Sequence, residues 1–101
     1  MKYNKLVRDK IPEIIEQKGK APVTHVADDE EYWQKLKEKI EEEVKEFIQD
    51  NNEEELVDIL EVIYAICDFK NIDKKNLETK RLKKTEKRGG FVKKIILDEV
   101  E

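Results

Sequence analysis

Two pairs of acidic residues lie near the middle of this 101-residue chain. Glu43 and Glu46 are three positions apart, and so are Glu55 and Asp58. Side chains three apart on a helix share a face, so each pair presents two carboxylates together. Carboxylates that meet on a half-buried surface repel each other and are costly to leave unpaired. All four are oxygen ligands of the kind that Mg²⁺ prefers. The spacing therefore predicts a Mg²⁺ site, with Mn²⁺ as an alternative ion.

A solvated acidic face is the alternative interpretation of the same residues. Charged residues make up 46% of the chain, so acid pairs at helical spacing also arise by chance. Further acids surround the two pairs: Glu41, Glu42, Glu53, Glu54 and Glu61. Under this interpretation the protein is a non-enzymatic helical interaction module, and its acidic residues simply face water.

Basic residues are concentrated towards the two ends of the chain. Arg8 lies before the first predicted helix, and Arg88 precedes Gly89-Gly90. A solvated basic face is one interpretation. The other is a phosphate cradle, in which guanidinium groups and glycine N–H groups bind oxyanions. Acidic central helices with basic ends could then bring a metal ion and substrate phosphates together.

The elements that must position these residues are predicted from the apolar spacing and the capping residues. The pattern predicts an all-α fold, a bundle of about four helices followed by a short extended C-terminal segment. The predicted elements are a helix capped by Asp9 and ended by Gly19, a helix from Asp28 or Asp29 to about Gln49, a helix from about Glu53 to Phe69, a basic helix from Asp73 to Lys87, and a strand or extended tail from Phe91 to Leu97.

Length and composition limit the other properties. Residues 1–101 are enough for one domain, but only 38% of them are apolar, so we expect a thin core and a homo-oligomer, either a dimer or a tetramer. No apolar run is long enough to cross a membrane, and the single Cys67 cannot form an internal disulfide. We expect a soluble cytoplasmic protein. The net charge of -4 makes nucleic acid an improbable partner.

Three blocks of the sequence resemble the MazG-like all-α nucleoside triphosphate pyrophosphohydrolases, which are related to phosphoribosyl-ATP pyrophosphohydrolases. The central block matches the family's ExxE and ExxD pairs on successive helices through Glu43/Glu46 and Glu55/Asp58. The other two blocks are similar to the ends of small single-domain members of the group. They are the opening residues Tyr3-Asn4-Lys5-Leu6-Val7-Arg8-Asp9-Lys10-Ile11-Pro12 and the closing residues Lys87-Arg88-Gly89-Gly90-Phe91.

The resemblance implies Mg²⁺-dependent cleavage between the α- and β-phosphates of a nucleotide, which yields a nucleoside monophosphate and pyrophosphate. It implies an oligomeric helical bundle with sites between helices. In the mechanism that we expect, water attacks a phosphoryl group in line and the ions neutralise the charge that develops on pyrophosphate. Glu43, Glu46, Glu55 and Asp58 would hold the metal. Glu46, or else Glu43, would act as the base, and the phosphate oxygens would be bound by Lys39, Arg8 and Arg88.

Overall fold

The computed structural model describes residues 2–101, and these residues form four α-helices. The helices are α1 (Ile11–Gln17), α2 (Asp29–Asp50), α3 (Glu53–Phe69) and α4 (Lys74–Arg88). No strand occurs in this part of the chain, and the residues after α4 have no regular structure. The prediction of an all-α fold with about four helices is confirmed. Within residues 2–101, none of the helices combines the length and the hydropathy needed to cross a bilayer.

Side-chain caps set the first residues of the three longer helices. The carboxylate of Asp28 accepts the N–H of Glu31 at the start of α2, and Asp73 accepts the N–H of Lys75 at the start of α4. Such caps satisfy N–H groups that have no partner inside the helix. The predicted cap on α1 was wrong, because α1 begins after Lys10 and has no side-chain cap. Pro12 in its first turn supports that start instead.

Two consecutive asparagines connect α2 to α3. Asn51 adopts the left-handed conformation, with φ of 52°, and donates its N–H to Phe47 O at 2.8 Å. Asn52 is already the cap of α3, and its side-chain oxygen accepts the N–H of Glu54. Asparagine tolerates the left-handed region better than most residues do. A connection this short makes α2 and α3 an antiparallel hairpin, and this is the main helix–helix contact of the chain.

The core of the hairpin is small. Among residues 2–101 the buried apolar side chains are Leu36, Val62 and Cys67. Aromatic rings close the end of the hairpin opposite the turn, where Trp33 on α2 stacks on Phe69 of α3 with 5.8 Å between ring centroids. The Lys70 ammonium lies 4.2 Å from the centre of the Trp33 ring, a favourable cation–π arrangement. The expectation of a thin core is therefore confirmed.

The segment before α1 crosses the hairpin and is held by polar contacts to both helices. Lys35 Nζ on α2 donates to Asn4 O at 2.8 Å, and Lys5 Nζ lies 3.2 Å from Glu42 Oε1. Arg8 reaches α3, where Nη2 donates to Asp58 Oδ1 at 2.6 Å. These three contacts place a basic segment against the acidic side of the hairpin.

Replacing Asn51 tests whether the left-handed turn sets the geometry of the hairpin. Asn51→Val should lower the free energy of unfolding by about 1–2 kcal/mol, because a β-branched residue is strained at positive φ. Asn51→Gly is the matched control and should retain full stability. Urea unfolding of both variants measures the difference. Equal stability of the two would show that the left-handed residue is not required.

Candidate metal centre

The α2–α3 hairpin brings three of the four predicted metal ligands together. One carboxylate oxygen from each of Glu43, Glu55 and Asp58 lies within 4.8 Å of the other two. Glu43 projects from α2, and the other two project from consecutive turns of α3. A single ion can contact oxygens spaced in this way after small side-chain movements, because Mg²⁺ and Mn²⁺ bind oxygen ligands close to the ion.

Glu43 is the most constrained of the three acids. Only 6% of its surface is exposed, in contrast to the partly exposed Glu55 and Asp58. Its Oε1 lies 3.4 Å from Lys39 Nζ, one turn earlier on the same helix. Its Oε2 is enclosed by protein and has no hydrogen-bond partner. An unpartnered buried carboxylate oxygen is expensive, so this atom indicates that the residues fit a cation.

The pKa of Glu43 is raised above its usual value. Burial is the largest cause, and the negative charge of Glu46 adds to it, while Lys39 acts in the opposite direction. The folded metal-free protein therefore resists ionising this side chain. A bound cation would relieve the same penalty, because it favours the carboxylate form.

Acidic groups outnumber the cations that contact them. Lys39 is shared, since its Nζ lies 3.5 Å from Glu42 Oε2 and 3.4 Å from Glu43 Oε1. Arg8 pairs with Asp58 and Lys5 with Glu42. Within residues 2–101, Glu46 and Glu55 have no ion pair. The carboxylates of this group thus outnumber the side-chain cations that pair with them, which again suits a divalent ion.

The fourth predicted ligand, Glu46, lies outside this group in the described residues. It is half-buried and one turn after Glu43 on α2. Its charge acts on Glu43, as the raised pKa shows. Glu46 is therefore a neighbour of the three-carboxylate cluster, at a position from which it could orient a water or accept a proton.

A cleft of about 610 Å³ opens beside the cluster, within the usual range for small-molecule sites. Glu43 and Asp58 line it, so two of the three carboxylates face the space where a ligand could bind. The N-terminal segment forms one wall, and α2 and α3 form the floor. The lining residues are Leu6, Val7, Arg8, Asp9, Lys10, Tyr32, Leu36, Lys39, Glu43, Asp58, Glu61, Val62, Tyr64, Ala65, Asp68 and Lys74.

Two of the three predicted phosphate-binding residues lie in this cleft. Arg8 and Lys39 both line it and both contact acids of the cluster. Arg88 is exposed at the last residue of α4 and does not line the cleft. Lys10 and Lys74 also line it, although the sequence did not single them out as ligands. The Nζ atom of Lys74 lies 2.9 Å from Asp68 Oδ1. In the sequence, Lys74 is marked only by its position directly after Asp73, the residue that caps α4.

Comparison with known proteins gives little further information about this site. No protein-family model matches the sequence, and no solved structure matches it. An uncharacterized protein of Mycolicibacterium smegmatis is 51% identical over 41 residues. The match covers 41% of this chain and 42% of that protein, so the chain spans less than half the length of the relative it matches.

Glu43→Gln tests whether the buried carboxylate is a cation site. Without divalent ions the variant should be more stable than the wild type, because it removes a charge that burial disfavours. We expect a gain of about 1 kcal/mol, equivalent to several degrees in Tm for a domain of this size. Addition of Mg²⁺ should raise the Tm of the wild type but not that of the variant. Glu41→Gln, an exposed neighbour on α2, should behave like the wild type in both conditions.

The stability gain should also depend on pH in a defined direction. The pKa of Glu43 is raised in the folded state, so the folded protein binds this proton more readily than the unfolded chain does. The contribution of Glu43 to stability therefore improves as the pH falls through the raised pKa. The difference between the wild type and Glu43→Gln should accordingly narrow at acid pH. A difference that widens there would contradict the assignment.

Proposed function

We propose that this protein is a Mg²⁺-dependent nucleoside triphosphate pyrophosphohydrolase that cleaves the bond between the α- and β-phosphates. The observation that carries the proposal is the enclosed, unpartnered Oε2 of Glu43 beside the carboxylates of Glu55 and Asp58. This cluster opens onto a cleft that also contains cationic side chains. Hydrolysis of a phosphoanhydride bond needs a metal site next to basic side chains that bind the phosphates. The resemblance to MazG-like pyrophosphohydrolases supports the choice of bond.

The proposed metal ligands are Glu43, Glu55 and Asp58, and Glu46 lies one turn after Glu43 on α2. When bound, Mg²⁺ supplies charge neutralisation on the phosphates and a lowered pKa for the attacking water. The protein's own part is to hold the carboxylates in one place. The short Asn51-Asn52 turn does this, because it leaves the two helices little freedom to slide.

Glu46 is the proposed general base. It lies next to the ligand cluster, has no ion pair in the described part of the chain and is not one of the three closest carboxylates. A carboxylate that is not held by a cation remains free to accept a proton from water. Glu43 is the second candidate, but its buried position suits a ligand better. Arg8 and Lys39 would bind phosphate oxygens from the cleft wall.

Product analysis tests the proposal directly. The full-length protein is incubated with each common nucleoside triphosphate, with and without Mg²⁺, and the products are separated. Nucleoside monophosphate and pyrophosphate in equal amounts, formed only with Mg²⁺, would support the proposal. Nucleoside diphosphate and phosphate would indicate cleavage of a different bond. No turnover of any nucleotide would favour the non-enzymatic interaction module.

Neutral substitutions on α3 test the ligand assignment. Glu55→Gln and Asp58→Asn should each abolish hydrolysis, with kcat reduced about 100-fold or more, because each removes a metal ligand. The helical content should remain unchanged in circular dichroism. Glu54→Gln is the matched control, since Glu54 is exposed and adjacent. Wild-type turnover by the Glu55 or Asp58 variants would show that these residues do not hold the metal.

Arg8→Ala should have opposite effects on the metal and on the nucleotide. The Arg8–Asp58 pair is partly exposed, with side-chain exposures of 52% and 38%, and such pairs contribute less than about 1 kcal/mol. Its loss should therefore strengthen Mg²⁺ binding by only a few-fold. Nucleotide binding should weaken about ten-fold, because a charge-assisted bond to phosphate is worth about 1.5–3 kcal/mol. Calorimetric titrations measure both, with Arg81→Ala, whose partner is Glu78 on α4, as the control.

A further inference from the structure

The cleft beside the carboxylate cluster runs along the hairpin and has two chemically different ends. Asp58 and Asp68 both line it and are ten positions apart on α3, which is about 15 Å along the helix axis. On the antiparallel α2, Glu43 and Tyr32 line it at a similar separation. Glu43 and Asp58 belong to the metal end. The opposite end, called here the distal end, is formed by Tyr32, Tyr64, Asp68 and Lys74.

Aromatic side chains shape the distal end. Tyr64 on α3 lines the cleft and is 43% exposed. The Tyr32 ring is half-buried and lies edge-on to Phe69, with 5.3 Å between the ring centroids. Phe69 is fixed in turn by its stack on Trp33. A surface that is already rigid loses little entropy when a ligand packs against it, so this end suits a flat aromatic group.

A carboxylate and an ammonium group lie side by side at the distal end. Lys74 Nζ, at the first residue of α4, lies 2.9 Å from Asp68 Oδ1 and 5.3 Å from the centre of the Tyr64 ring. The side chains of Lys74 and Asp68 are 46% and 71% exposed, so a ligand can reach both. An ammonium group has three donors and a carboxylate has about four acceptor positions. Their contact with each other therefore leaves hydrogen-bonding capacity on both groups.

The Tyr32 hydroxyl adds a neutral group to this charged pair. Its pKa is raised, first by burial and then by the negative charges of Asp9 and Asp68. The hydroxyl therefore keeps its proton at neutral pH and remains a hydrogen-bond donor. The distal end thus combines aromatic rings with both donors and acceptors.

The groups follow one another along the cleft in the same order as the parts of a nucleotide. Under the proposed function, Arg8 and Lys39 bind phosphates near the metal end. The floor of the cleft between the two ends is apolar and suits a sugar; it includes Leu36, Val62 and Ala65. The base of the same nucleotide would then lie at the distal end, about 15 Å further along the helices.

The position of Asp68 determines which part of the base it meets. Asp68 is the α3 residue of the cleft that lies farthest along the helix from Asp58. The exocyclic group of cytosine is on the side of the ring opposite the sugar, so it would point towards this carboxylate. In cytosine and adenine that group is an amino donor, and the ring nitrogen beside it is an acceptor that Lys74 can bind. Uracil and hypoxanthine have a carbonyl oxygen at this position, and two acceptors would then face each other.

We infer that the distal end is a nucleobase subsite that prefers bases with an exocyclic amino group, as in cytosine and adenine, over bases with a carbonyl oxygen there, as in uracil and hypoxanthine. This assignment rests on the proposed function for the place of the phosphates. Asp68 is the specificity-determining residue, because it accepts a hydrogen bond from the amino group. Lys74 donates to the neighbouring ring nitrogen, and the Tyr64 ring stacks on the base.

Calorimetric titration of the full chain with the α,β-methylene analogues of CTP and UTP, in the presence of Mg²⁺, tests the subsite. Neither analogue can be hydrolysed between the α- and β-phosphates, so binding is measured without turnover. The wild type should bind the CTP analogue about ten-fold more tightly, because uracil loses a charge-assisted hydrogen bond. Asp68→Asn should reduce this preference to about two-fold or less, because an amide can donate to the uracil carbonyl. Asp50→Asn is the matched control at an exposed residue of α2 outside the cleft, and it should keep the wild-type preference.

Tyr64→Leu separates stacking from recognition of the base edge. The variant should bind both analogues about ten-fold more weakly and leave the ratio of their affinities unchanged, because every base has a face that can stack on an aromatic ring. Circular dichroism checks that each variant remains helical.

Three results of these titrations would overturn the subsite: equal affinity of the wild type for the two analogues or a preference for uracil, a preference that survives Asp68→Asn, and binding of neither analogue. Product analysis with CTP and UTP themselves tests the proposed function separately. Selective binding of the CTP analogue without release of pyrophosphate from CTP would support the subsite and contradict the proposed function. Release of pyrophosphate from both nucleotides by a protein that binds the two analogues equally would do the reverse.

Discussion

The burial of the Glu43 carboxylate is the constraint that the rest of the structure has to accommodate. Its side chain lies between two helices whose other buried contacts are few, and one of its oxygens has no protein partner. Lys39 compensates only part of the charge, because it is shared with Glu42. The free energy of unfolding of a protein with a small apolar core is low, so the cost of burying such a group is a large fraction of it. We therefore regard the buried charge as a requirement of the site.

The fold positions this site through local interactions, and one chain leaves many of its large apolar side chains exposed. Capped helix starts and a two-residue asparagine turn hold the hairpin in one register, and the N-terminal segment adds cations on its acidic side. Helix α4 contributes no buried residue to that core. These local interactions explain how a chain with 46% charged residues forms a defined hairpin, although it buries little apolar surface.

The helices could be predicted because their signals are local. Asp28, Asn52 and Asp73 cap helices within one or two residues of the expected starts. The convergence of the acidic pairs also followed from the short turn. The exclusion of Glu46 did not, because residues three apart on a helix differ by about 60° around its axis. Only the rotation of α2 against α3 decides which of Glu43 and Glu46 faces Glu55 and Asp58.

Contacts between residues that are far apart in the chain could not be predicted from the sequence. Nothing in the spacing of residues 2–10 showed that Arg8 would pair with Asp58, 50 positions later, although the resemblance to pyrophosphohydrolases pointed to this block. The position of Arg88 away from the cleft depends on how α4 leaves the hairpin. Four residues between α3 and α4 do not determine that direction. Local spacing was enough to predict that Glu43, Glu55 and Asp58 come together, whereas the walls of the cleft could be identified only from the tertiary structure.

Binding of Mn²⁺ followed by electron paramagnetic resonance tests the central claim most directly. The signal of free Mn²⁺ is measured as the ion is added to the metal-free wild-type protein, and Mg²⁺ is then added as a competitor. The account predicts saturable loss of the free-ion signal, at one or two ions per chain, and its recovery with Mg²⁺. A free-ion signal equal to that in buffer at every Mn²⁺ concentration would contradict the claim that Glu43, Glu55 and Asp58 form a cation site.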